Sequence, residues 1–326
     1  MEDITTSQLL REGSSLHLAG NFNEAENKYR QVLEKNEDSA VTHNNLGFLL
    51  AQQNQLQQSV NEYLRAIEID PGYSTAYSNL GQAYMVMHRW DDAIEALLNA
   101  ISLNNDDIHA NEGLAKLYMI KANMDGAEIF YRKTYSLNPQ TKILLDLAYC
   151  LLLQQKWTEV RELLMYVPTS EQNSSQFYNL TGLIQFAANN FGEAIYYFRQ
   201  ALGLEPENIT IRSSLAVCFL KTGDDRLALS EFNRIVILDP DNIDALNNLA
   251  VLELASNEIE SSLKHLEETL MKDSKNVKAQ YYKAIIYLRH GKNDEAYDLL
   301  KVAASSENTD YANEASRLLA PPLEKT

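Results

Sequence analysis

Glycine and proline are scarce in this sequence, with 12 and 7 occurrences among 326 residues. Both residues concentrate in turns and loops, so their scarcity disfavours an all-β or loop-rich protein. The apolar content of 45% is enough for a packed core and excludes disorder along the whole chain. A predominantly helical protein is therefore expected.

Cysteines, basic residues and long apolar runs are also few. Two cysteines cannot form the disulfide framework of a small secreted protein. Acidic residues outnumber basic ones by 45 to 28, and the net charge of −17 disfavours non-specific binding to nucleic acids or anionic membranes. The most apolar stretch, Ile143 to Leu153, is too short to span a membrane and contains Asp146.

The first ten residues, MEDITTSQLL, include two acids and no apolar core run. They are therefore interpreted as neither a secretory signal nor a transit peptide. A soluble, cytoplasmic protein without membrane insertion is expected.

Motifs that would indicate an enzyme or a cofactor site are missing from the sequence. It contains no phosphate-binding glycine loop and no G-x-S-x-G, and its six histidines lack the spacing of a metal site. We therefore predict no catalytic residue, no metal and no cofactor. One segment resembles an active site by composition alone, because His88 to Asp92 reads HRWDD.

A period of 34 residues, with a single step of 33, runs through three columns of the sequence. The first column holds only small residues: Gly13, Gly47, Gly81, Ala115, Ala148, Gly182, Ala216, Ala250 and Ala284. The second column, twelve residues later, holds Ala25, Ser59, Ala93, Ala127, Val160, Ala194, Ala228, Ser262 and Ala296. The third, four residues further on, is bulky: Tyr29, Tyr63, Leu97, Tyr131, Leu164, Phe198, Phe232, Leu266 and Leu300.

These columns are typical of two short helices in each repeat. A small residue in the first helix allows the second helix to approach, and positions four apart share one helix face. Prolines stand where second helices should end: Pro71, Pro139, Pro206 and Pro240. Cys150 and Cys218 occupy equivalent positions two repeats apart, too distant for a disulfide, and are expected to be buried thiols.

The third repeat resembles a known family. Its residues Tyr77, Leu80, Gly81, Tyr84, Ala93 and Leu97 are similar to the tetratricopeptide-repeat (TPR) pattern, with Tyr for the usual Trp and Asn105 where Pro is expected. The resemblance covers residues 6–310 and implies an all-α fold, an α-solenoid wound as a right-handed superhelix with first helices on its concave side. Nine repeats are predicted at 6–39, 40–73, 74–107, 108–140, 141–174, 175–208, 209–242, 243–276 and 277–310.

The regular pattern is interrupted near the middle of the chain. Pro168 lies where the second helix of repeat five should still run, so we expect an irregular joint at 168–176. The joint is interpreted either as a tolerated loop irregularity or as a change of path between repeats 1–5 and 6–9. Residues 308–320 are amphipathic and predict a capping helix, and residues 321–326 are expected to be a disordered tail.

In register, HRWDD occupies the turn between the two helices of its repeat. Trp90 occupies a repeat position that is apolar in most other repeats, where the side chain is expected to pack under the turn. Asp91 and Asp92 fall in the first turn of the second helix, where negative charge complements the helix dipole. A structural role is therefore predicted for this segment.

The resemblance implies that a ligand meets positions 2, 5, 6, 9, 12 and 13 of the first helices. At position 6, Asn45, Asn79 and Asn248 suggest an interrupted asparagine ladder for a ligand main chain, and Asn247 stands beside it. Polar residues that only stabilise their helices are the alternative. The chaperone-tail carboxylate clamp is disfavoured because repeat one has Leu10 and Ser14 instead of Lys and Asn.

Positions 9 and 12 become continuously apolar from repeat five onward. The position 9 candidates are Tyr149, Leu183, Val217, Val251 and Ile285. These residues predict either a groove for an apolar or amphipathic segment or a set of side chains buried between neighbouring repeats. Both interpretations stay open at position 9, and burial is preferred at position 12.

The leading functional hypothesis is a non-catalytic adaptor that holds a peptide or a partner helix in its concave groove. The expected partner is a protein or peptide that is apolar, amphipathic or basic, and nucleic acid is not expected. Two alternatives are a self-assembling structural protein and a regulatory or substrate-selecting subunit of a separate enzyme or peptide-responsive switch.

Overall fold

A computed structural model of the chain describes residues 5–36, 38–306 and 310–319. These residues form nineteen α-helices and one short 3-10 helix, with no strand among them, which confirms the all-α prediction. The helices divide into two compact units, one ending at Pro168 and the other beginning at Thr169.

The first unit contains five antiparallel helical pairs, which we call hairpins 1 to 5. Their helices are α1 (Thr6–Leu18), α2 (Phe22–Lys35), α3 (Ala40–Gln52), α4 (Leu56–Ile69), α5 (Ser74–Val86), α6 (Trp90–Leu103), α7 (Ile108–Ile120), α8 (Met124–Leu137), α9 (Thr141–Leu153) and α10 (Trp157–Met165). The last of these is the shortest second helix, and the 3-10 helix Thr169–Glu171 begins the second unit.

The second unit contains hairpins 6 to 9 and one further helix. Its helices are α11 (Ser175–Ala187), α12 (Phe191–Leu204), α13 (Ile209–Thr222), α14 (Asp225–Leu238), α15 (Ile243–Ala255), α16 (Ile259–Lys272), α17 (Val277–Arg289), α18 (Asn293–Ala304) and α19 (Asp310–Leu319). The helix α19 lies within the segment predicted as a capping helix, 308–320, and packs on α17 and α18. Tyr311 of this helix lies against Tyr281 and Tyr282, with ring centroids 5.6 Å apart in both pairs. The predicted tail, 321–326, lies outside the described residues.

Most first helices begin at a polar cap. The carboxylate of Asp107 accepts the backbone N–H of Ala110 at 2.9 Å, and the Asn242 amide oxygen accepts that of Ala245 at 3.0 Å. Such side chains satisfy donors that the first helical turn leaves unpaired. Equivalent caps are made by Thr5, Ser39, Ser174, Asn208 and Asn276.

Every turn between the two helices of a hairpin contains one residue in the left-handed conformation. That residue stands two positions before the second helix: Gly20, Asn54, His88, Ala122, Gln155, Asn189, Gly223, Asn257 and Gly291. The next backbone N–H then reaches back to the first helix, as Arg89 does to the Tyr84 carbonyl at 2.9 Å. This arrangement is the Schellman ending of a helix, and it reverses the chain within a few residues.

The small-residue column brings the two helices of a hairpin into close contact. A Cβ atom at Gly182 would lie 2.7 Å from the Phe198 ring, and one at Gly81 would lie 2.5 Å from the Leu97 side chain. Both bulky residues are fully buried. In these two hairpins the core therefore depends on a glycine that meets a large side chain at this point. Cys150 and Cys218 are buried free thiols, and burial raises the pKa of both.

In both units, first helices of neighbouring hairpins also contact one another. Such contacts join α1 to α3, α3 to α5, α5 to α7, α11 to α13 and α15 to α17. The first helices therefore form the more tightly packed layer of each stack. We call the surface of this layer the inner face of its unit.

Candidate functional site

The inner face of the first unit exposes a row of apolar side chains. Val86, Ile120 and Leu153 are each the last residue of a first helix, in α5, α7 and α9. They are 59%, 54% and 44% exposed. We call these three residues the inner apolar row. Apolar side chains that stay exposed in equivalent places on three neighbouring hairpins form a candidate binding surface.

A depression of about 540 Å³ lies beside this row, between hairpins 3 and 4. Met85, Met119 and Trp90 give it a mainly apolar wall, and Val86 and Ile120 form part of its rim. Methionine side chains are flexible and polarizable, so they adapt to apolar ligands of different shapes. The remaining lining residues are Gln82, Lys116 and Tyr131.

The polar groups of this depression are tied to the protein. Lys116 forms an ion pair with Glu112 at 2.5 Å, and the Gln82 amide donates to the His109 carbonyl at 3.1 Å. Burial raises the pKa of the Tyr131 hydroxyl, and the nearby Asp146 carboxylate raises it further. The site therefore combines an apolar lining with one ion-paired lysine and a carboxylate near the Tyr131 hydroxyl.

A second depression, of about 480 Å³, lies between hairpins 1 and 2. Phe22, Phe48, Tyr29 and His17 supply aromatic walls, and the almost fully exposed Leu18 forms a lip. Ser14, Gly20, Asn45 and Gln52 complete the lining.

The candidates of the first unit lie in different environments. Asn45 lines the second depression, and among the described residues its side chain makes no hydrogen bond. Asn79, by contrast, donates to the Asn44 side chain at 2.9 Å, so its amide links two neighbouring first helices. Tyr149 is 39% exposed on α9.

The apolar candidates of the second unit are half-buried. Leu183 packs against the core of hairpins 6 to 8, and Val217, Val251 and Ile285 are likewise only partly accessible. At position 12, Phe186 and Leu220 pack on the same core and Leu254 is buried, whereas Leu288 is 37% exposed. The inner face of this unit therefore offers less exposed apolar surface than its sequence suggests.

The asparagine candidates of the second unit are bonded within the protein. Asn247 is buried and donates to the Asn276 side chain at 3.1 Å, which itself caps α17. Ser78 makes a similar link to the cap Asp107 in the first unit, at 3.4 Å. Asn248 accepts a hydrogen bond from Lys278 at 2.8 Å, and burial lowers the pKa of that lysine.

Val86, Ile120 and Leu153 were not singled out from the sequence. They occupy position 13, which the family resemblance marks as a ligand position. Listing the residues at that position in each repeat would therefore have found them. Their exposure depends on neighbouring hairpins and could not be read from their apolar character alone.

The HRWDD segment lies in the turn of hairpin 3. His88 is the left-handed residue, Trp90 begins α6, and Arg89 pairs with Asp92 at 2.7 Å. Asp91 pairs with Lys121 of the next hairpin at 2.8 Å. Each charged group thus has a structural partner. Across the described ranges, no group of three or more metal-ligand side chains is placed to hold an ion, and no helix is long and apolar enough to cross a membrane.

Family models match both units of the chain. A model described as TPR repeat matches residues 49–87, and models described as Tetratricopeptide repeat match residues 74–107, 185–250 and 247–313. These matches together span more than half of the sequence. No curated protein matches the sequence significantly.

Solved structures are similar in fold. A chain of the APC/C hetero-tetramer Cut9–Hcn1 is 17% identical with a TM-score of 0.60, over 83% of this chain and 54% of that one. The pilF protein of Pseudomonas aeruginosa is 17% identical with a TM-score of 0.55, over 65% of this chain and 96% of that one. The present chain thus spans about half the length of the Cut9–Hcn1 chain, and at this identity both likenesses concern the fold alone.

Proposed function

The chain belongs to the tetratricopeptide-repeat family of protein-interaction scaffolds, and we propose that the inner face of its first unit binds an amphipathic helix of a partner protein. The observation that carries this proposal is the inner apolar row beside the depression between hairpins 3 and 4. Three exposed apolar side chains on consecutive hairpins give a partner several anchors. The tetratricopeptide fold is typically a non-catalytic scaffold, so the proposed role is binding alone.

The spacing of the row favours a helical ligand. Helices pack about 8–10 Å apart, so successive hairpins present their row residues at roughly that interval. An α-helix rises 1.5 Å per residue, so side chains seven residues apart, which share one face, lie about 10 Å apart and would meet successive row positions. An extended strand would cover the same interval in about three residues, and its side chains alternate between opposite faces.

Charge favours a basic partner. The row residues end their helices, where the helix dipole places partial negative charge. The Asp146 carboxylate lies near the hydroxyl of Tyr131, which lines the adjoining depression. The whole chain carries −17, which attracts a positively charged segment during encounter. We therefore propose an amphipathic helix with an apolar stripe and flanking Lys or Arg residues.

Peptide display against the full chain tests this proposal. Random 20-residue peptides should yield binders with apolar residues at helical spacing and with excess positive charge. Amide hydrogen exchange of the complex should then show added protection at the ends of α5, α7 and α9. Recovery of binders that protect only the second unit, or of no binder, would contradict the proposed site.

A further inference from the structure

We propose that the depression between hairpins 1 and 2 is an anchor pocket for an aromatic side chain of the bound segment. This inference rests on the proposed function, since the pocket lies on the inner face of the same unit. It adds a chemical requirement that the inner apolar row does not impose, namely an aromatic ring at one end of the ligand.

The walls of the pocket are aromatic rings with different orientations. The His17 ring stands nearly perpendicular to Phe22 at a centroid distance of 5.8 Å and to Tyr29 at 6.2 Å. It is tilted by 42° against Phe48 at 5.5 Å. Rings attract one another in edge-to-face or offset arrangements, so a ligand ring can find both edges and faces here.

The His17 ring, which contacts the other three rings of the pocket, is held in place before any ligand binds. One ring nitrogen of His17, Nε2, lies 3.0 Å from the Gln52 amide oxygen, and the other, Nδ1, lies 3.4 Å from the Tyr29 hydroxyl. Both partners come from the elements that enclose the pocket, α2 and α3. A wall fixed in this way reduces the ordering cost of binding.

The Phe48 ring is accessible to a ligand. Phe48 is 45% exposed, although it is a large aromatic residue on the inner face. The pocket volume, about 480 Å³, lies at the lower end of the range for ligand pockets, which suits one side chain and its backbone. The amide of Asn45 is available at the lining for the polar edge of a ring or for the ligand backbone.

The neighbouring depression differs in chemistry. Its wall consists mainly of aliphatic and thioether side chains, and Trp90 and Tyr131 are its aromatic members. The two depressions would therefore bind different side chains of the same segment. Its aromatic ring would lie at hairpins 1 and 2, and its aliphatic side chains would lie at hairpins 3 to 5. This difference fixes which end of the segment lies at which hairpin.

A probe that needs no partner tests the pocket. N-acetyl-5-fluoro-L-tryptophanamide is titrated with the full chain and followed by fluorine NMR, and N-acetyl-L-leucinamide is added as a competitor. We expect a dissociation constant of roughly 0.1–1 mM for the aromatic probe. We expect leucinamide to compete about two- to tenfold less well than unlabelled N-acetyl-L-tryptophanamide.

Two variants at Phe48 separate aromatic recognition from apolar burial. Phe48→Leu keeps an apolar side chain and should lower the affinity for the aromatic probe about two- to tenfold. Phe48→Ala should lower that affinity further. Val217→Ala changes the equivalent position of the second unit and should leave binding unchanged. Circular dichroism checks that each variant is folded.

Equal competition by leucinamide, an unchanged affinity in Phe48→Leu, an equal loss in Val217→Ala or no probe binding would each overturn the proposal. Because the displayed peptides are mapped on hairpins 3 to 5 by a separate measurement, the pocket can fail while the proposed function stands. If the probe binds but peptide display yields no binder, the proposed function fails while the pocket stands.

Discussion

Single backbone conformations set the hairpin turns. Nine residues with positive φ reverse the chain between paired helices, and only Gly20, Gly223 and Gly291 are glycines. Asparagine tolerates this conformation because its short polar side chain can bond locally. Alanine has no such compensation, so Ala122 at φ 55° carries a conformational cost.

We predict that Ala122→Gly raises the free energy of unfolding by about 1 kcal/mol, because glycine adopts positive φ without strain. The reverse change, Gly223→Ala at φ 77°, should lower it by a similar amount, since space is open around that residue and only the backbone is affected. Chemical denaturation followed by circular dichroism measures both. Destabilisation by Ala122→Gly would contradict this explanation of the turn.

The close contact inside a hairpin gives a second residue-level prediction. Gly182→Ala should lower the free energy of unfolding by about 1–3 kcal/mol, because the added methyl group would collide with the buried Phe198 ring.

The matched control is Gly203→Ala, which lies in the same hairpin with open space around its Cα. It should leave stability unchanged or raise it by up to about 1 kcal/mol, since alanine favours a helix over glycine. If both variants lose the same stability, contact with Phe198 is not the cause.

At the scale of elements, charged side chains tie neighbouring hairpins together. Glu128 of α8 accepts hydrogen bonds from Arg132 at 2.8 Å, from Gln154 at 3.0 Å and from Lys156 at 2.6 Å. The last two residues belong to the turn of hairpin 5. Burial alone would raise the pKa of Glu128, but the bonds from Lys156, Arg132 and Gln154 outweigh it and lower the pKa to about 2.

This shift predicts how stability depends on pH. Because the pKa of Glu128 is lower in the folded state than its ordinary value of 4.5, its stabilisation is complete above pH 4.5 and is lost as the pH falls towards 2. Glu128→Gln should cost about 1 kcal/mol at pH 7 and remove that part of the acid sensitivity.

Denaturation midpoints between pH 2 and pH 7 measure the effect. Glu159→Gln is the control, because Glu159 pairs with the same Arg132 at 2.6 Å but is 47% exposed, so it should cost less at pH 7. An unchanged acid profile in Glu128→Gln would refute the assigned role.

For the whole molecule, the repeat could be predicted from the sequence, whereas the binding surface could not. A glycine or alanine facing a bulky residue at a fixed spacing, as in Gly182 and Phe198, is a local signal that each hairpin repeats. The exposure of an apolar side chain has a different origin, because it depends on the hairpins that follow. Phe48 and Leu183 occupy the same repeat position on first helices, yet Leu183 packs on a core and Phe48 remains 45% exposed.

The polar candidates show the same limit. Asn45 and Asn79 occupy equivalent positions, but Asn79 is bonded to Asn44 of the neighbouring hairpin, whereas Asn45 faces a depression. Asn247 links two helices through a cap. A single repeat does not contain the partner atoms that decide between these roles.

The most direct test of the proposed binding surface uses two isoleucines of one hairpin. Ile120 ends α7 in the inner apolar row and is 54% exposed, and Ile129 lies on α8, the second helix, and is 64% exposed. The affinity of a displayed amphipathic peptide is measured by calorimetry for Ile120→Glu and Ile129→Glu. We predict a loss of at least about tenfold, or 1.4 kcal/mol, for Ile120→Glu and no change for Ile129→Glu. Equal affinity in the two variants, or a loss confined to Ile129→Glu, would contradict binding at the inner face.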